Sequence, residues 1–272
     1  MLSRFVFVVA LPSLIFASLS RISVAEFFNW SYIGALGGGM LAMYLVGLVV
    51  ARRAFGHART GAALHAMTAM YSSTAYIGLP LVLTLYGDAA EVPGIIGAII
   101  TGLVFTPLAM LMAEPGVPDQ GRLRMLFRVI SRPPLIAVAA ALLVSASDVG
   151  VAAPVHRFFE LLGGAFVPCA LFAAGLFVAR CSLRGASLEI GWLVSAKLLL
   201  HPLITWWLAA FVFRLDPLLV TVAVVQAGLP AGVPVFVLAQ QYRRFESRSS
   251  AVIALSTALS VLSLSLIVAL RG

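Results

Sequence analysis

Charge is what this 272-residue sequence has least of: Asp, Glu, Lys and Arg together make up 10% of it, against roughly 25% in an ordinary soluble domain. That shortfall excludes a water-soluble core of this size, because too few charged groups remain to cover one. Cysteine is almost missing as well. Cys169 and Cys181 fall inside one apolar stretch and at its end, which excludes a disulfide framework and gives no cysteine metal motif. Lysine occurs once, as Lys197, all other basic residues except histidine being Arg. Carboxylates are absent from the middle of every apolar stretch: Glu26, Asp88, Glu91, Glu114, Asp119, Asp148, Glu160, Glu189, Asp216 and Glu246 lie in loops or near span ends. This disfavours a carboxylate proton relay, a sodium site built on carboxylates and a cationic substrate. There is no His-Glu-x-x-His, no Gly-x-Ser-x-Gly and no intramembrane Asp pair, so an intramembrane enzyme is a weak reading. No catalytic residue, cofactor or metal site is expected.

Hydrophobic residues supply the rest, at 62% with a mean hydropathy of +1.07. A hydrocarbon layer about 30 Å thick takes about 20 apolar residues per helix. Apolar runs near residues 4–20, 30–51, 65–88, 93–113, 134–151, 158–179, 190–213, 217–240 and 249–270 predict nine transmembrane helices. They are continuously apolar and not alternating, which favours helices over a barrel. The expectation is therefore an all-α integral membrane fold with short loops, one domain over residues 1–272, multi-pass in the lipid bilayer of the cell membrane. The first run continues into a polar loop without a small-residue cleavage pattern, so a cleavable signal peptide is not expected. The net charge of +8 does not point to nucleic acid, because the basic residues sit in short loops between spans.

Arg4, Arg52, Arg53, Arg59, Arg122, Arg124, Arg128, Arg132, Arg180, Arg184, Arg243, Arg244 and Arg248 fall on one side of the predicted topology, with only Arg21, Arg157, Arg214 and Arg271 on the other. The positive-inside rule then puts the N-terminus in the cytoplasm and the C-terminus outside. In the longest inside loop Arg124, Arg128 and Arg132 form a stripe opposite Leu123, Leu126, Phe127 and Ile130, the pattern of an amphipathic helix on the inner leaflet.

Two internal similarities suggest a repeat. Tyr76-Ile77-Gly78-Leu79-Pro80-Leu81 parallels Gln226-Ala227-Gly228-Leu229-Pro230-Ala231, and Val9-Ala10-Leu11-Pro12-Ser13-Leu14 parallels Ala165-Phe166-Val167-Pro168-Cys169-Ala170. Members of each pair are five spans apart and run in opposite directions, as in inverted repeats of transporters. Repeat 1 covers about residues 1–113 and repeat 2 about 134–272. The fifth span has no partner, so a five-plus-five parent whose first helix is absent here is expected; a native nine-helix family is the alternative.

Gly-Leu-Pro at mid-membrane favours a local helix break, and freed backbone is tolerated there only where it is buried or lines a cavity. Helices restarting near Leu81 and Ala231 would aim positive dipole ends at an anion. The candidate binding residues are Ser73, Thr74, Gly78 and Pro80 at the first break, with Ser72 beside them, and Gln226, Gly228 and Pro230 at the second. Lys197 and His201, one helical turn apart, complete the set. An intramembrane cation is a functional candidate by default: Lys197 could hold a substrate carboxylate, stand where a coupling cation would bind, or snorkel to the interface. His201 precedes Pro202 and could instead satisfy a kinked backbone.

Ser72-Ser73-Thr74-Ala75-Tyr76-Ile77-Gly78-Leu79-Pro80-Leu81 resembles the fourth-helix motif of the auxin efflux carrier family. Phe7 to Pro12, Lys197 to Pro202, and Gly228-Leu229-Pro230 with Phe236 to Tyr242 resemble its second, eighth and ninth helices. The resemblance implies a ten-helix inverted-repeat fold with crossed broken helices, and a scaffold half and a transport half moving in an elevator-like way. For bacterial members it implies malonate or a similar carboxylate as substrate. A homodimer is compatible with the family. Two departures bear on the site: the family often has Asn ahead of the first Gly-Leu-Pro, where Ser72-Ser73-Thr74 stand, and an Asn-containing stretch after the second proline, where Ala231 to Val235 stand.

The expected function is thus secondary transport of a small organic anion by alternating access. A sodium-coupled organic-anion symporter resembling bile acid transporters, and a truncated, inactive or regulatory membrane protein, are the alternatives.

Overall fold

The computed structural model describes residues 2–108, 131–147, 150–179, 181 and 188–271. It is all-helical, and among the described residues the only β contact is one isolated antiparallel bridge. In chain order the main helices are α1 (Leu2–Leu19), α2 (Trp30–Arg53) and α3 (Arg59–Met70). Helix α4 follows as Thr74–Gly78 running into Leu79–Tyr86, then α5 as Glu91–Ile99 running into Ile100–Phe105. After them come α6 (Pro133–Ala146), α7 (Ala153–Val178) and α8 (Leu188–Val212). The last three are α9 (Pro217–Gly228), α10 (Val233–Gln241) and α11 (Glu246–Arg271).

Six helical runs among the described residues are long and apolar enough to cross a membrane, and α6 and α9 are shorter apolar helices. Side chains such as Leu143, Leu161 and Leu262 project outward, 64–71% exposed. Lipid, not water, is the solvent such a surface needs. The predicted inner-leaflet helix at Leu123–Ile130 lies outside the described residues.

The helix ends follow local chemistry. Asn29 caps α2 by accepting the Tyr32 amide at 3.0 Å, and Asp216 caps α9 by accepting the Leu219 amide at 3.0 Å, with Pro217 at the first helical position. Both satisfy amides that a helix start leaves free.

Lipid gives helices no hydrophobic reason to associate, so close backbone approach at small residues does much of that work. A Cβ on Gly47 of α2 would lie 2.7 Å from the Ala66 backbone in α3, and one on Gly163 of α7 would lie 2.9 Å from the Leu14 backbone in α1. These contacts belong to two packing groups: α1 packs chiefly on α6 and α7, while α2 packs on α3 and α8, and α8 on α9.

The proline-bearing helices behave differently from the sequence expectation. Pro12, Pro80 and Pro202 do not break their helices. Each follows, by two positions, a single π-helical turn: Val6–Ala10, Thr74–Gly78 and Ala196–Leu200. In each the residue before proline donates its amide five residues back, Leu11 to Val6, Leu79 to Thr74 and His201 to Ala196. The wider turn moves aside the carbonyl that the proline ring would otherwise strike. The first real break therefore lies upstream of Gly78-Leu79-Pro80, at Tyr71-Ser72-Ser73, and the helix restarts at Thr74, not near Leu81. The second lies where expected, at Leu229 to Gly232, with the helix restarting at Val233.

Candidate functional site

The two breaks meet. Ser72 and Ala231 form the isolated bridge: the Ser73 amide donates to the Pro230 carbonyl at 3.0 Å, and the Gly232 amide donates to the Tyr71 carbonyl at 3.2 Å. Backbone groups released by each break thus satisfy the other, as burial in an apolar interior requires. The Ala231 amide donates to Ser256 Oγ of α11 at 3.1 Å. The two Gly-Leu-Pro motifs also touch, since a Cβ on Gly78 would collide with the Leu229 side chain. Gly78, Pro80, Gly228 and Pro230 are all buried in this packing.

Lys197 is fully buried behind the crossing. Its side-chain nitrogen donates to Ser72 Oγ at 2.7 Å and to the Ala227 carbonyl at 2.5 Å, and lies 3.0 Å from His201 Nδ1. All its partners are protein groups, and the lysine does not snorkel. It joins α8 to the strand-like segment of the first break and to the last turn of α9. The other ring nitrogen of His201, Nε2, is buried without a partner among the described residues.

Gln226 is also fully buried, but it faces α5. Its amide donates to the Pro93 and Gly94 carbonyls at 3.3 Å each, and its side chain occupies the space a Cβ on Gly97 would need. Gly97→Ala is therefore expected to cost about 1–3 kcal/mol of stability by overpacking. Thermal unfolding in detergent checks this, and Gln226→Ala in the same chain should recover much of the loss.

In front of the crossing lies a cavity of about 100 Å³. Tyr71, Ser72, Ser73 and Thr74, the first turn of α4 at Ala75 and Tyr76, and Gly232 and Pro234 form one wall. Phe7, Leu11 and Ile15 of α1 line it too, with Ala98, Ile99 and Gly102 of α5 and Thr106 just beyond its end. Arg132, at the N-cap of α6, completes the lining. The cavity thus sits between the α1–α6–α7 group and the crossing. Of the sequence candidates, Ser73 and Thr74 line it, with Ser72; Lys197, His201 and Gln226 lie behind the crossing, and Gly78, Pro80, Gly228 and Pro230 pack within it.

Arg132 was expected on a surface stripe with Arg124 and Arg128. Its immediate neighbours Pro133 and Pro134 were the missed signal, because proline at a first helical turn marks a span entrance. Glu189, expected near a span end and not as a buried carboxylate, is 5% exposed. Position near a span end does not prevent burial when partners converge, and His57, His65 and Arg248 all reach this carboxylate.

Comparison with known proteins agrees with this architecture. The chain is 30% identical over 269 residues, covering 96% of it and 83% of the relative, to a protein of Rhizobium meliloti (strain 1021) named "Putative malonate transporter". It is 27% identical over 269 residues, covering 97% of it and 86% of the relative, to an "Uncharacterized transporter" of Methanothermobacter thermautotrophicus (strain Delta H). The family described as "Membrane transport protein", which is auxin efflux carrier-like, matches residues 1–120 and 122–268. Helix breaks that meet in the interior, apolar outer surfaces and a match along nearly the whole sequence lead to one conclusion: the chain belongs to the Membrane transport protein family and is a multi-pass membrane transporter.

Proposed function

We propose that this transporter carries a small organic anion, malonate or a carboxylate of similar size, across the cytoplasmic membrane by alternating access. The observation that carries the reading is the cavity against the crossing. At about 100 Å³ it is well below the roughly 300–1,000 Å³ of drug-sized ligand sites, which suits a substrate of few heavy atoms. Its polar groups are anion-binding in kind: the Ser73 and Thr74 hydroxyls, the Ala75 and Tyr76 amides in the first turn of α4, and the Arg132 guanidinium. A dicarboxylate would place one end on α4 and the other on Arg132, where paired N–H groups match carboxylate geometry. The R. meliloti relative's name points the same way.

Lys197 in this reading is not a substrate contact. It ties the crossing together through a hydroxyl and a carbonyl of the kind that suits a coupling cation. With that place filled by the lysine nitrogen, sodium coupling of the bile-acid-transporter type is disfavoured. The pairing of the Pro12 span with the Pro168 span and of the Pro80 span with the Pro230 span supports an inverted repeat. The cavity's position between α1 and the crossing supports an elevator-like movement of the crossing against α1 and α6. The distribution of Arg supports a cytoplasmic N-terminus and an external C-terminus.

The test is uptake of labelled malonate into proteoliposomes, with sodium replaced by potassium in parallel and with short dicarboxylates and indole acetate as competitors. Saturable uptake that survives sodium removal, competed by short dicarboxylates and weakly by indole acetate, is expected. Strict sodium dependence would favour the symporter reading, and no carboxylate uptake would sink the anion reading.

A further inference from the structure

Beyond the transport reading, we propose that His57, His65 and Glu189 form a binding site for a divalent transition-metal ion of the zinc type, at the arginine-rich end of the molecule. The three residues come from separate places: His57 from the loop after α2, His65 from α3 and Glu189 from the start of α8. His57 Nε2 lies 2.6 Å and His65 Nδ1 2.9 Å from the same oxygen, Glu189 Oε1. All three ligand atoms lie within 4.8 Å of one another. Zinc bonds of about 2.0–2.2 Å in a tetrahedron put ligand atoms roughly 3.3 Å apart, so seating the ion needs each nitrogen to move back from Oε1 by less than an ångström while the two nitrogens settle to the same spacing.

The surroundings fit a ligand set. Arg248 Nε holds the other carboxylate oxygen at 2.9 Å, which fixes the carboxylate and leaves Oε1 directed at the imidazoles, as outer partners do for metal ligands. The ring of Phe245 lies 5.7 Å from that of His57 and 6.0 Å from that of His65, and Phe55 lies 5.5 Å from His65. These rings give the cluster an apolar wall. The His65 and Glu189 side chains are 0% and 6% exposed, while His57 is 17% exposed, so His57 is the side from which an ion arrives. Two imidazoles and a carboxylate leave a fourth position for water. Such donors select zinc-like ions over magnesium or calcium, which prefer all-oxygen shells.

Without metal, the two rings donate their facing N–H groups to Glu189. With metal, those nitrogens present lone pairs and each ring carries its proton on the other nitrogen. The ion then ties the α2–α3 loop, α3 and α8 together and, through Arg248, α11. These elements all belong to the group that holds the crossing.

The test uses the purified full chain in detergent, stripped with a chelator and titrated with Zn²⁺ or Co²⁺; it does not depend on uptake. Expected are one ion per chain, a melting temperature raised by Zn²⁺ and not by Mg²⁺, and the visible absorption of tetrahedral Co²⁺. His57→Ala, at the most exposed ligand, should weaken binding at least about tenfold while leaving the metal-free melting temperature near that of the wild type. Glu189→Gln is the second variant, should His57→Ala not fold. Three results each overturn the proposal: no stoichiometric binding, binding unchanged in the variants, or an intense thiolate band placing Co²⁺ on Cys169 or Cys181.

Discussion

Lys197→Met is expected to lower malonate uptake by tenfold or more while the protein still folds. Methionine keeps the apolar stem and removes the side-chain nitrogen, so the Ala227 carbonyl retains only the Ser72 hydroxyl at 3.4 Å, and His201 Nδ1 loses its partner. Leaving a buried polar group unsatisfied costs about 1–3 kcal/mol, and 1.4 kcal/mol of displaced equilibrium is a factor of about ten. The backbone exchange between Ser73 and Pro230 and between Tyr71 and Gly232 should hold the helices near one another, so folding survives. What suffers is the register of Ser72, Ser73 and Thr74 against the cavity. Uptake in proteoliposomes together with thermal unfolding in detergent separates the two effects. Uptake near wild type would mean that the crossing positions its hydroxyls without the lysine nitrogen.

Arg132→Ala is expected to raise KM for malonate by roughly 10–100-fold, with little change in the melting temperature. A hydrogen bond to a charged group contributes about 1.5–3 kcal/mol, which converts to that range. Arg132→Lys should recover part of the loss, since it keeps the charge and gives up the paired geometry. The contrast with Lys197 is diagnostic: Arg132 faces the cavity and should act on affinity, whereas Lys197 is enclosed by protein and should act on affinity and stability together. An unchanged KM in Arg132→Ala would move the substrate away from α6 and leave the hydroxyls and the α4 turn as the anion's contacts.

Particular residues show where sequence reasoning reached its limit. Gly228-Leu229-Pro230 marked its break correctly, because no π turn precedes Pro230 and the chain is free to extend. The same tripeptide at Gly78-Leu79-Pro80 misplaced the other break by about two turns, because a π turn absorbs that proline within a continuous helix. Lys197 stood out as the sole lysine, yet nothing in its neighbourhood says whether it faces a cavity, lipid or another helix. Its partners Ser72 and Ala227 are 125 and 30 residues away. His57 and His65 lie 132 and 124 residues from Glu189, a separation no local spacing rule detects.

The sequence by itself determined the solvent of this protein and the class of its elements, because hydropathy and helix length depend on composition within about 20 residues. Arg asymmetry and the duplicated Gly-Leu-Pro motifs carried the expectations of orientation and of a repeated half. Only the tertiary structure decided which residues meet. It turned two separated breaks into one crossing, put Lys197 behind it and Arg132 in front, and buried Glu189 between two histidines. The physical reason is the same in each case: a polar group freed or buried in an apolar interior must find a partner, and the partner's identity is set by which distant helices pack together.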